Sequence, residues 1–277
     1  MIGPRLKPPT GRPGLAALIR KELADQFGAM RLALFTALIF MAALIGAFLA
    51  GEGVKGLLAD GLGQALEGRA FLMLFSASAA GLPIFSLLAV LGPVWALALG
   101  FDALNRERAQ GTLSKLLAQP LSRLELILGK FLAGLLTIAL MSGALFLLIC
   151  GLGLAVGGLF PGGEEVLRLV VFWLATVLYL GFWLAAAMLM SVVFKSAAVS
   201  ALASGALWLF LAFLVTLLAG GAAGLLSPVN DPFRPAQAEV AAQEETFRRL
   251  SLISPFNVYD EAAAFLLAPS RRSLTPS

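Results

Sequence analysis

Residues 101–130 read FDALNRERAQGTLSKLLAQPLSRLELILGK, a charged block set between two long apolar runs. Arg106, Arg108, Lys115, Arg123 and Lys130 fall inside it, whereas the runs on either side carry no acidic or basic side chain. Within the block, Gly111 breaks one helical piece and Thr112 caps the next. Leu113, Leu116 and Leu117 give that second piece an apolar face, and Pro120 ends it. Ser122 and Glu125 have the S-x-x-E spacing of a capping box, in which each side chain satisfies an orphaned backbone N–H at a helix start. The spacing predicts two short helices with a fixed bend between them, not a flexible tether. Placed between apolar runs, the block reads as a cytoplasmic loop.

The rest of the chain explains why this loop stands out. A 277-residue chain with 60% hydrophobic and 13% charged residues falls far below the roughly 25% charged usual for soluble domains, and its mean hydropathy is +0.92. It belongs in a bilayer. A span needs about 20 apolar residues, and five runs qualify, at 32–50, 79–100, 131–153, 169–190 and 197–219. The apolar FLMLFSASAA before the second run either re-enters the membrane surface or lengthens that helix. Lys and Arg set orientation through short loops. Arg5, Lys7, Arg12, Arg20, Lys21, Arg31, the loop cations and Lys195 fall on one side, against Lys55, Arg69 and Arg168 on the other. The N-terminus is therefore expected inside.

Residues 1–14, MIGPRLKPPTGRPG, have the composition of a disordered basic tail. From 15 to 31 the pattern is helical, with Leu15, Leu18, Ile19, Leu23, Phe27 and Met30 broadly on one side, which predicts an interfacial helix lying on the membrane. Glu22 and Gln26 intrude on that apolar side. The transmembrane domain then covers 32–219. Residues 220–277 form an expected extracytoplasmic segment holding a polar helix near 236–250 and a short helix near 258–267. Its arginines 248, 249, 271 and 272 run against the positive-inside trend, which long translocated segments often ignore.

Several chemistries are excluded. The chain has no histidine and one cysteine, Cys150, which rules out a disulfide framework and a His-based metal or acid–base site. Gly129-Lys130 lacks the Gly-rich loop of a phosphate-binding motif, so no ATP site is expected on this chain, and Lys130 reads as an anchor at the start of a span. Ser76, Ser78, Ser86, Ser142 and Ser191 have no base to activate them. The spans lack the buried ionisable groups that carry ion coupling in secondary carriers. Trp95, Trp173, Trp183 and Tyr179 read as packing or interface anchors. The pairs Gly181/Ala185 and Ala201/Gly205, at spacing four, permit close helix contact.

Glu107-Arg108-Ala109-Gln110-Gly111-Thr112-Leu113, then Leu116-Leu117, Pro120, Ser122-Arg123 and Gly129-Lys130, resemble the E-R-E-x-G-T-L…LL…P…SR…GK pattern of the ABC-2 class of ABC transporter permeases. Arg20-Lys21-Glu22-Leu23 resembles that family's entry segment, and the stretch from Ser254 to Pro269 is similar to the permease of the nitrous-oxide-reductase maturation system. The resemblance implies an all-α, polytopic transmembrane helical bundle with an N-terminal interfacial helix and cytoplasmic coupling helices. It also implies a cytoplasmic-membrane location in a prokaryote and no catalysis by the chain itself. ATP would be bound by a partner ABC ATPase subunit, a second permease subunit would complete a homodimer within the membrane lipids, and no nucleic acid is expected. Carried over by position, Glu107, Arg108, Gly111 and Thr112 would contact the ATPase, Pro120 and Arg123 would hold the bend, and Glu22 would work with them from the interfacial helix.

Two departures stand out. Ala109 occupies the place where the family commonly has a second Glu. The family also has six spans, and none follows Pro269 before the sequence ends at Ser277, so the chain reads as truncated or frameshifted, or else as a five-span variant. A membrane scaffold or assembly factor with no translocated substrate is the alternative function. The wholly apolar spans favour a lipid-like substrate or that mechanical role.

Overall fold

A computed structural model describes residues 14–57, 60, 70–76, 83–111, 123–158, 160–229 and 236–267. Among them the regular structure is helical throughout, with no strand. Helices α1 (Gly14–Phe27), α2 (Met30–Leu57), α3 (Ala70–Ser76) and α4 (Ile84–Gly100) lead to the short α5 (Asn105–Ala109). Then come α6 (Arg123–Gly157), α7 (Gly163–Val193), α8 (Ala197–Leu209), α9 (Val215–Leu226), α10 (Gln237–Ser251) and α11 (Pro255–Leu267). A π-helical turn, Phe210–Leu214, joins α8 to α9. Five helical stretches among the described residues are long and apolar enough to cross a bilayer: Leu32–Gly56, Ile84–Ala109, Leu124–Ala155, Gly163–Val193 and Ala197–Leu226.

The outer spans, such as α2, bury a narrow stripe and leave the rest apolar and exposed, as expected where lipid replaces water, whereas α4 is mostly buried. On α2 the inward positions are Leu32, Ile39, Ala43, Ala47, Ala50 and Val54, whereas Leu34, Leu38, Met41, Ile45 and Phe48 face out. The centre is the pair α4–α7. Glycine makes their approach possible: a Cβ on Gly92 would lie 2.6 Å from Leu180, and one on Gly100 would lie 2.7 Å from Ala187 Cβ and 2.9 Å from the Leu184 carbonyl. Gly181 does the same towards α6, where a Cβ would stand 2.9 Å from Leu135, while Gly205 faces open space. So of the two small-residue pairs noted in the sequence, only the first has its glycine at a close contact. Trp95 and Trp183 are fully buried in this core. The indole N–H of Trp173 donates to Ser142 Oγ at 3.1 Å, and the Tyr179 hydroxyl donates to the Ala89 carbonyl at 2.7 Å.

At the end remote from α5, the bundle is closed by elements too short to span it. In α3, the FLMLFS part of the apolar stretch before α4, Phe71, Leu72, Leu74 and Phe75 are all buried. Glu165, on the first turn of α7, fixes it. One carboxylate oxygen accepts the Gly162 N–H at 2.8 Å, and the other accepts the Phe71 N–H at 3.1 Å. A single buried carboxylate thus caps two helix starts, where orphaned donors and the macrodipole both favour negative charge.

Helix α11 also enters the bundle. Tyr259, Ala263 and Leu267, at successive steps of four, are buried. The Tyr259 ring stacks on Tyr179 at 4.4 Å and on Phe172 at 6.0 Å, and its hydroxyl hydrogen-bonds Thr176 at 3.0 Å. Polar α10 returns along α9, with Ser227 and Thr246 hydroxyls 2.8 Å apart, and Asn257 then donates to Thr216 at 2.7 Å. The segment after the fifth span is therefore partly core.

Candidate functional site

The charged block of the sequence meets α1, α6 and α7 at one end of the bundle. Helix α1 packs along α6 through Leu18, Glu22 and Gln26, one residue per turn on a single stripe. Glu22 and Gln26, the two polar intrusions on the apolar side of this helix, face protein and are satisfied there. Glu22 Oε1 accepts from Lys130 Nζ at 2.7 Å, and Gln26 Oε1 accepts from the Thr137 hydroxyl at 2.5 Å. Lys130 Nζ also donates to Glu107 Oε1 at 3.1 Å. The three side chains are 11%, 5% and 9% exposed for Glu22, Lys130 and Glu107 respectively, and Lys21 approaches both carboxylates at 3.9–4.0 Å. Two buried acids thus share one buried cation at the junction of α1, α5 and α6. Removing one member of such a buried group costs about 3–5 kcal/mol, because the remaining charges lose their compensation.

Arg108 ties the same turn to α7. Its guanidinium donates to the carbonyls of Ser191 and Phe194, each at 3.3 Å, and of Val192 at 3.2 Å, and to Asn105 Oδ1 at 3.2 Å. These acceptors include the last carbonyls of α7, which have no intrahelical partner and carry the negative end of the dipole. In the other direction, Ser191 Oγ accepts the backbone N–H groups of Leu104 at 3.0 Å and Asn105 at 3.3 Å. The hydroxyl that sequence reading set aside as a nucleophile is a receptor for the turn entering α5.

Of the residues singled out in the sequence, the structure brings Glu22 and Glu107 together and turns Arg108 back onto α7. Gly111 follows α5 with φ +66°, a left-handed conformation that glycine adopts without strain and that ends a helix. Thr112 and Pro120 lie outside the described residues, as does the second short helix expected in the block. Arg123 is the first residue of α6, and its side chain lies outside them too. Lys130, Asn105, Ser191 and Glu165 were not anticipated as site residues. The available signal was Glu22 and Gln26: polar groups on the buried side of a helix require partners, and Lys130 is the cation beside the nearest span.

Between α1 and α5 a hollow of about 80 Å³ has Lys21, Asp25, Arg106 and Gln110 at its rim and Leu99 and Met188 among its lining. A larger hollow of about 460 Å³ between α6 and α7 is lined by apolar groups, among them Phe71, Phe146, Leu147, Leu169 and Trp173.

Five apolar spanning helices, with a polar turn clamped to three other helices at one end, define a multi-pass membrane protein organised around an inter-span loop. Residues 16–275 match the ABC-2 family transporter protein family, and the chain belongs to that family. It is a permease component of an ABC transporter, and membership implies association with an ABC ATPase subunit. No curated protein matches the chain.

Proposed function

We propose that this chain is the membrane permease through which a separate ATP-binding subunit drives transport or mechanical work across the cytoplasmic membrane of a prokaryote. In this reading its N-terminus is cytoplasmic and a second copy completes a homodimer. The observation that carries the reading is the double clamp on the turn at 101–111. A force applied there reaches α7 through Arg108 and Ser191, and α1 and α6 through Lys130. A loop so held transmits rigid-body displacement instead of absorbing it.

Glu22, Glu107 and Arg108 then act as positioning groups, since their side chains are engaged within the bundle. Gly111, Thr112, Pro120 and Arg123 shape the segment that meets the ATPase, and exposed Arg106 and Gln110 lie on the adjoining surface. ATP stays on the partner, and this chain supplies no catalytic group to its hydrolysis.

The test is to purify the tagged chain in mild detergent from its own host, photolabel with azido-ATP, and record ATP turnover. An ABC ATPase should accompany the wild type, and Gly111→Pro should lose coupled turnover while remaining inserted. A preparation with no labelled partner contradicts the proposal.

A further inference from the structure

Gly129-Lys130 closes the charged block, and no ATP site is expected there, while a role as a membrane anchor leaves the glycine unexplained. The structure supplies a reason for both residues. A Cβ at 129 would lie 2.5 Å from Leu18 Cδ2 and 3.3 Å from Leu15 Cδ1, so glycine here lets Leu18 and Leu15 of α1 pack directly on the backbone of α6, and a side chain would push both aside. The next residue, Lys130, meets Glu22 one turn further along α1 at 2.7 Å, and Thr137, two turns on, meets Gln26.

We infer that Gly129-Lys130 is the seat of α1, and that Lys130 is the positioning residue that makes α1, the 101–111 turn and the start of α6 move as one body. A helix held only by lipid would present an unbroken apolar stripe to the membrane. Here the stripe Leu18, Glu22, Gln26 faces α6, whereas Phe27 is exposed. Lys130 bonds both α1 and α5, through Glu22 and Glu107. Lys21 stands further off, 3.9–4.0 Å from the two carboxylates. If Lys130 is removed, two buried carboxylates lose their short, buried cation and keep the half-exposed Lys21 at 3.9–4.0 Å, and α1 separates from the turn to rehydrate them.

The consequence for coupling rests on the proposed function; the attachment of α1 does not. Hydrogen exchange on the full chain in lipid nanodiscs reads the attachment directly. Lys130→Met and Gly129→Leu should each speed exchange across Gly14–Phe27 by about tenfold or more, with Gly163–Val193 unchanged, and Lys130→Arg should return most of the protection. If Lys130→Met fails to insert, Glu22→Gln replaces it, with exchange in α1 about threefold faster. Unchanged exchange in α1, or equal loosening of α1 and α7, would overturn the inference.

With the photolabelled ABC ATPase bound, Lys130→Met should keep binding within about threefold and lose more than about tenfold of the stimulated turnover. Undiminished stimulation would overturn the positioning role. Failure of the wild type to recruit an ATPase would refute the proposed function alone, leaving the exchange result to stand or fall separately.

Discussion

Replacing Arg108 with alanine removes the fork that joins the inter-span turn to the end of α7. Three carbonyl contacts are lost, at 3.2–3.3 Å. Hydrogen bonds from a charged donor are worth about 1.5–3 kcal/mol when short and buried. At these distances, on a half-buried side chain, about 0.7 kcal/mol each is the reasonable scale, or about 2 kcal/mol in all. Losing a cation at a helix C-terminus adds about 0.5 kcal/mol. About 2.5 kcal/mol corresponds to a population of the detached turn raised by nearly two orders of magnitude. Hydrogen exchange over 104–111 and 191–196 should rise by about that factor in Arg108→Ala. Arg108→Lys should recover only part of the protection, since an ammonium cannot reach three diverging carbonyls as a planar fork does. Exchange that stays at the wild-type rate would refute the reasoning, because the turn would then be held by Ser191 and packing alone.

Other consequences follow from equally local geometry. Gly100→Ala should lower the thermal midpoint in detergent, by about 1–3 kcal/mol of overpacking against Ala187 and the Leu184 carbonyl, and Ala187→Gly should restore part of it. Glu165→Ala leaves the Gly162 and Phe71 N–H groups without acceptors and should cost about 2–3 kcal/mol, read as rapid exchange at Phe71 and new protease cleavage next to α3. Asp260, on α11, has its carboxyl pushed above the usual range by burial, so its contribution to stability is full below the ordinary aspartate range and declines as pH rises through the elevated value. Asp260→Asn should therefore raise the thermal midpoint at pH 8 relative to wild type, with the difference closing towards pH 4; a constant offset would show that ionisation is not the cause.

The spans were legible because α2, α4, α6, α7 and α8–α9 each carry an apolar run of about bilayer length, and length with hydropathy is what a membrane selects. The loop was legible because charge concentrated between two such runs has nowhere else to go. The partners of its side chains were not. Glu22 and Lys130 are 108 residues apart, and Arg108 finds its carbonyls more than 80 residues on; no local spacing encodes such pairs. Lys130 was read as an anchor because cations at span ends ordinarily are, and only the oddity of Glu22 and Gln26 on the apolar side of α1 hinted otherwise.

Short buried elements were the other gap. The stripe Tyr259, Ala263, Leu267 tells that α11 buries a face without telling against what, and Asp260 and Glu261 beside it give the helix a surface look. FLMLFS in α3 is too short to span and too apolar to alternate, so periodicity says nothing of its burial.

The central claim is that the ATP-binding partner seats on the α5 end of the bundle. Photo-crosslinking in native membranes tests it most directly, with a benzophenone side chain placed at exposed Gln110 beside α5 or at Leu225 near the far end of α9. The account predicts an adduct of an ABC ATPase subunit from position 110, strengthened or weakened by ATP, and none from 225. An ATPase adduct from 225, or from neither position while the partner co-purifies, would contradict it.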